Sequence, residues 1–207
     1  LRERLAVIDA AQKNIAALST QVVGLQDILS NKQARGAFGE IQMQDLVQGA
    51  LPPSAYTFQA SLTNGTRVDC LLVLPNPPGP IALDAKFPLE SYRAIREAKD
   101  EAALVLARRQ FSIAIRNHVR AIAEKYIVAG ETADSALLFL PSEAVYAELH
   151  ANFANLVEES FRHRVGIVSP TTLMATLTTV RAVRKDVHLR EQAQSSQSEL
   201  RALLGDI

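Results

Sequence analysis

The feature that most constrains the fold lies between residues 62 and 88, where two apolar runs, Thr66 to Leu74 and Ile81 to Phe87, flank the loop Pro75-Asn76-Pro77-Pro78-Gly79-Pro80. Four prolines cannot supply ladder donors, so this loop must lie outside any sheet and the runs on either side read as separate strands. Asn64-Gly65, just before the first run, is a strong hairpin signal and predicts a third strand over Tyr56 to Leu62. Three successive strands are therefore expected, and two of them carry an acid in apolar surroundings: Asp69 in TRVDCLLVL and Asp84 in IALDAKF. Strand side chains alternate, so Asp84 and Lys86 should project from the same face. Burying such charges is costly unless they pair with each other or with a metal ion.

The rest of the chain alternates helix and strand. Leu1, Ile8, Ile15, Val22 and Leu29 recur every seven residues, with Ala11, Leu18 and Leu25 three residues on, so residues 1–33 read as a coiled-coil seam or as an amphipathic helix lying on its own domain. A second helical stretch, Arg35 to Gly49, ends before Pro52-Pro53. Helical periodicity resumes from Leu89 to about Ile127 with a break near Asp100. It is followed by a short strand at Ala136 to Leu140, a helix from Ser142 to about Phe161, and a strand at Val165 to Val168. Ser169-Pro170 should start the last helix, which runs to about Leu204. This order predicts an α/β fold with a mixed sheet flanked by helices. The domains read as a coil over 1–33, a core over 34–190 and a helical extension over 191–207.

At 207 residues with 48% apolar content, the chain can fill a core of ordinary size. Its 22 basic and 22 acidic residues balance, so any polyanion site must be a local patch. The single Cys70 permits no internal disulfide, which suits a reducing compartment such as the cytoplasm. No apolar run reaches the roughly 18 residues that span a bilayer, so no membrane contact is expected of this chain. It begins at Leu1 inside a helical pattern, and a preceding natural segment is expected to be missing. The nucleophile-elbow, zinc-protease, Walker and dinucleotide motifs do not occur, and His118, His150, His163 and His188 are scattered without ligand spacing.

The chemistry the acids suit is phosphodiester hydrolysis, in which a divalent cation neutralises charge and activates water. Mg²⁺ takes hard oxygen ligands and keeps several waters, so a few carboxylates suffice. Asp69 and Asp84 fit as ligands, and Lys86 would assist the water or stabilise transition-state charge. Glu40 would complete the set if its helix packs on the strand ends, which Gly36 and Gly39 allow by permitting close approach. Gln59 on the first strand is a neutral neighbour.

Arg35-Gly-Ala-Phe-Gly-Glu40, Val68-Asp69, Leu83-Asp84-Ala85-Lys86, Phe139-Leu140-Pro141-Ser142-Glu143 and Val168-Ser169-Pro170-Thr171-Thr172-Leu173 occur in that order. On these segments, residues 33 to about 190 resemble the RmuC family, bacterial proteins linked to DNA recombination with a coiled coil before a nuclease-like domain of the PD-(D/E)xK class. The resemblance implies a restriction-endonuclease-like core with Glu40, Asp69, Asp84 and Lys86 at its metal site, Mg²⁺ or Mn²⁺ as cofactor, and DNA as partner. Val68 and Phe38 stand where relatives often carry Pro and Trp, and neither change removes a ligand. Relatives can carry an N-terminal membrane anchor before the coil.

Phosphate contacts are expected from Arg35, from Arg109, Arg116 and Arg120 along one side of the long helix, and from Arg181, Arg184 and Lys185 along the last, unless these are solvated faces paired with local acids. The N-terminus of the last helix, with Thr171 and Thr172, offers an anion site. Ser142 is expected to cap the helix that follows it. The functional expectation is a metal-dependent DNA nuclease acting in recombination or on aberrant DNA structures, self-associating through the coil. The alternative is a non-catalytic coiled-coil scaffold whose degenerate nuclease core binds DNA or a protein.

Overall fold

The computed structural model describes residues 31–205, and the seven-residue seam of residues 1–33 falls outside that range except at its last three positions. The chain divides into two compact units, residues 1–38 and 39–207. In the first, the Asn31 side chain accepts from the Gln33 amide at 2.8 Å and opens helix α1, Lys32–Ala50, whose residues from Gly39 on belong to the second unit. An Asx residue in that place satisfies an amide the helix itself cannot.

In the second unit a short 3₁₀ turn, Pro53–Ala55, leads to β1 (Tyr56–Ser61), β2 (Arg67–Leu72) and β3 (Ile81–Ala85). Helices α2 (Leu89–Glu97) and α3 (Glu101–Tyr126) follow, then β4 (Ala136–Phe139), α4 (Glu143–Asn152), α5 (Ala154–Arg162), β5 (Val165–Val168) and α6 (Pro170–Gly205). The five strands form one sheet in chain order; β1, β2 and β3 are antiparallel neighbours, and β4 and β5 join in parallel. The parallel strands need helical crossovers, which α2–α3 and α4–α5 supply. The sheet is mixed and flanked by helices, as the element order predicts.

Each sheet face has its own apolar core. On one, Ile95 of α2, Phe111, Ile115, Val119, Ile122 and Tyr126 of α3, Val145 and Leu149 of α4 and Leu156 of α5 pack on Ala82, Ala136 and Leu138. On the other, Met43, Val47 and Ala50 of α1 and Leu173, Leu177 and Val180 of α6 pack on Cys70, Leu72, Leu83 and Phe139. Coverage on both faces explains why β3 is almost wholly buried and reads as a continuous apolar run.

The expected break near Asp100 is present, and Asp100 caps α3 by accepting from the Ala103 amide. Ser142 caps α4 through the Val145 amide. The single helix expected from Ser142 to Phe161 is instead two, α4 and α5, divided at Phe153. There the backbone leaves helical geometry (φ −137°, ψ 43°) and the buried ring packs at a tilt against Phe111 with centroids 5.0 Å apart. Burying an aromatic side chain outweighs one turn of helix continuity, and helical periodicity gives no sign of that competition. The expected extension over 191–207 begins within α6, whose backbone continues unbroken to Gly205.

Candidate metal and nucleic-acid site

The strand register brings the acids together. β2 and β3 pair as Cys70 with Leu83, which makes Asp69 and Asp84 the next residues along that register, close enough for the Asp84 charge to act on Asp69. β1 and β2 pair as Phe58 with Cys70 and Ala60 with Val68, so Gln59 lies opposite Asp69. Gln59, Asp69 and Asp84 thus form one polar rung across three strands. Like charges placed opposite each other across a ladder repel, and here one of them, Asp84, is only 1% exposed.

Two groups offset that repulsion. Lys86 projects from the face that carries Asp84, as alternation requires, and its ammonium bonds the Asp84 carboxylate at 2.5 Å while its stem stays partly exposed. The Ala85 amide donates to Asp69 at 2.9 Å. Asp69 is nevertheless pushed from an ordinary 3.8 up to about 6, first by burial, then by the Asp84 charge, with Glu40 adding a smaller push. Behind the rung, burial together with the Asp69 charge pushes the Cys70 thiol up to about 12, so it is not a reactive thiol.

Glu40 arrives from α1. A Cβ on Gly39 would sit 3.3 Å from the ring of Pro141 and 3.8 Å from Ala85, so the helix meets the ends of β3 and β4 at a distance only glycine readily permits. That contact sets the next residue, Glu40, beside the rung, where its carboxylate accepts from Gln59 Nε2 at 3.4 Å. The close approach expected of the glycine pair is therefore made by Gly39; Gly36 lies in the preceding unit.

Tyr126, the last residue of α3, is a further neighbour. It closes the apolar stripe of α3 and is buried, but its hydroxyl donates to the Arg67 carbonyl at 3.2 Å beside the acids. Burial, then the charge of Asp84 and a hydrogen bond to it, and then the charge of Asp69, push the phenol well above its usual value. Only the polar tip of an otherwise apolar helical stripe signals this in the sequence.

All the side-chain donors here are hard oxygens, the chemistry that suits Mg²⁺ or Mn²⁺. Among the described residues no three His, Cys, Asp or Glu side chains gather closely enough to hold a metal ion by themselves. An ion at this rung would be held by Asp69 and Asp84, with Glu40 beside them on the Gln59 amide. That is an ordinary arrangement for Mg²⁺, which is held by one or two carboxylates and keeps several waters.

The basic residues divide. Arg116 and Arg120 both pair with Glu159 of α5, at 2.7 and 3.5 Å, and that carboxyl is held below its usual value by the Arg116 hydrogen bond first. Arg184 donates to the carbonyls of Val73 and Ser54 and so ties α6 to the end of β2 and the 3₁₀ turn. Arg109, Arg181 and Lys185 are exposed on their helices, whereas Arg35 is buried. The N-terminus of α6 differs from the expected anion site, because the protein supplies its own anion: Glu143 accepts from the Thr171 amide at 2.7 Å. Its carboxyl is held below the usual range, chiefly by hydrogen bonding to Thr171.

Fold and site together define an α/β domain with a mixed sheet that carries an acid pair, a paired lysine and a third acid at the carboxyl end of its central strand. The chain belongs to the RmuC family, which it matches over residues 1–207. It is 28% identical over 217 residues to a DNA recombination protein RmuC homolog of Xylella fastidiosa, a span covering 99% of this chain and 46% of that protein. A homolog of the same name from Pseudomonas aeruginosa is 29% identical over 213 residues, covering 95% of this chain and 47% of the relative. The DNA recombination protein RmuC of Escherichia coli K12 is 24% identical over 189 residues, covering 86% and 40%. The chain therefore spans less than half the length of these relatives. No solved structure matches it significantly. Among the described residues no helix is long and apolar enough to cross a membrane.

Proposed function

We propose that this domain hydrolyses phosphodiester bonds in DNA with the help of Mg²⁺ or Mn²⁺, in recombination or the processing of aberrant DNA structures. This makes it a nuclease of the PD-(D/E)xK kind, working in the cytoplasm. The observation that carries the reading is the facing pair Asp69 and Asp84 with Lys86 on the second of them. Two carboxylates forced together, one of them buried, carry an excess of negative charge that a divalent cation relieves. When bound, the ion would neutralise phosphate charge and lower the pKa of a coordinated water. The protein's own groups do the rest. Asp69 and Asp84 hold the cation's place, and Lys86, on a partly exposed stem, is able to leave Asp84 and meet developing negative charge at the phosphate. Arg109, Arg181 and Lys185, exposed on their helices, would meet the nucleic-acid backbone. The family resemblance and the relatives' names as DNA recombination proteins point the same way.

A second reading has its own observation. The Lys86–Asp84 ion pair already neutralises one acid, as a non-catalytic scaffold that binds DNA or a protein would require. Labelled single-stranded, duplex and hairpin DNA, incubated with Mg²⁺, Mn²⁺ or EDTA, separates the two. Nuclease function predicts metal-dependent cutting that Asp84→Ala and Lys86→Ala each abolish while the fold is kept. DNA binding without cutting by well-folded wild type would establish the scaffold.

A further inference from the structure

Gln59 has φ +50°, a left-handed conformation that few non-glycine residues adopt, in the middle of an otherwise extended strand. The change it makes is visible in the packing. Phe58 and Cys70 pack with the core beneath α1 and α6, whereas the next pair in the same register, Ala60 and Val68, packs with the core beneath α3. Simple alternation would put both pairs on one face, so the hairpin coils about the rung that holds Gln59 and Asp69. The coil carries the Gln59 side chain to the acids, where its amide donates to Glu40. A strained backbone maintained beside a cluster of carboxylates is a functional signature when glycine would sit there more easily.

We propose that Gln59 is a positioning residue of the acidic site, its left-handed backbone aiming the carboxamide at Glu40 and so holding that carboxylate beside Asp69 and Asp84. The inference rests on the metal-nuclease reading and adds to it a neutral residue that brings the third acid within reach. The amide suits the task because its N–H₂ gives Glu40 a donor without adding charge, whereas a lysine there would neutralise the site and an acid would add to the repulsion. Groups that orient the surroundings of a metal-binding pair alter affinity or activity by about 10- to 100-fold when removed.

The test compares Gln59→Gly and Gln59→Asn with wild type in the full chain, reading the metal-free melting temperature, its rise with Mn²⁺, and DNA cleavage. Glycine relieves the left-handed strain but removes the amide. Its metal-free Tm should therefore rise, by about 2–4 °C for each kcal/mol relieved, while the Mn²⁺-induced rise shrinks and cleavage falls about tenfold or more. Asparagine tolerates the same φ but is one methylene too short to reach Glu40, so it should keep a near wild-type Tm and lose cleavage similarly. Wild-type cleavage and Mn²⁺ response in either variant would overturn the inference alone. So would a lower metal-free Tm in the glycine variant, which would make Gln59 a packing residue. If wild type shows neither Mn²⁺ stabilisation nor cleavage, the metal-site reading fails and this inference falls with it.

Discussion

Asp69 carries the clearest conflict between stability and the proposed function. Its carboxyl holds a proton more tightly in the folded chain, at about 6, than at the ordinary 3.8 of an unfolded one. Below about pH 4 both states are protonated and burial of the acid costs little. Between there and pH 6 the unfolded chain releases its proton first, so stability falls as pH rises, and above that the penalty is constant. Asp69→Asn removes the charge while its side-chain oxygen still accepts from the Ala85 amide. We expect that variant to be more stable than wild type by about 1–2 kcal/mol at pH 7, allowing for screening of a partly exposed group, with the advantage vanishing near pH 4. Urea denaturation at pH 4 and pH 7.5 measures both ends; an advantage that does not shrink at low pH would show that Asp69 is not the destabilised acid. Because a cation competes with the proton, stabilisation by Mn²⁺ should also weaken as pH falls below about 6. The same residue was recognisable in sequence as an acid in an apolar run, but its facing partner was not, because register is a property of the pair of strands.

At the scale of elements, the site depends on where α1 lands. Glycine inside a helix costs about 1 kcal/mol relative to alanine, and at Gly39 the cost is accepted because Pro141 and Ala85 fill the space a side chain would take. Gly39→Leu should destabilise the domain by about 1–3 kcal/mol through overpacking against the proline ring. It should also push Glu40 away from the rung, so that under the nuclease reading cleavage falls further than the stability loss explains. Chemical denaturation read beside activity at a temperature where the variant is fully folded separates the effects; unchanged stability would mean that α1 does not depend on the contact. The spacing of Gly36 and Gly39 made a close approach legible, and the neighbour, a proline about one hundred residues later, was not. The split of α4 from α5 at Phe153 was likewise hidden, since one buried ring against Phe111 decided it.

At the scale of the whole molecule, the heptad pattern of residues 1–33 carries an expectation of self-association. Removing residues 1–30 should lower the mass measured by light scattering if the seam joins chains, and an unchanged mass would assign it to packing within one chain. Balanced charge means that nucleic acid must be met by local groups rather than a general field. Among the seven basic residues expected to meet phosphate, Arg116, Arg120 and Arg184 are engaged within the fold. Helical spacing sorts residues by face but does not say which face meets another helix.

Local chemistry alone determined the order of the strands and of the helices other than the α4–α5 division, the loop of prolines that separates β2 from β3, the caps at Ser142 and Ser169, and the side of the strand shared by Asp84 and Lys86. Each depends on backbone geometry or on neighbours a few residues away, which the chain carries with it. Only the tertiary structure decided that Asp69 faces Asp84, that Gln59 twists out of the strand to reach Glu40, that Tyr126 turns its hydroxyl toward the acids, and that Glu143 fills the N-terminus of α6. Those relations join residues 15 to 57 positions apart. They are settled by which arrangement buries the two apolar cores while leaving the fewest charges unpaired, and that comparison belongs to the folded chain as a whole.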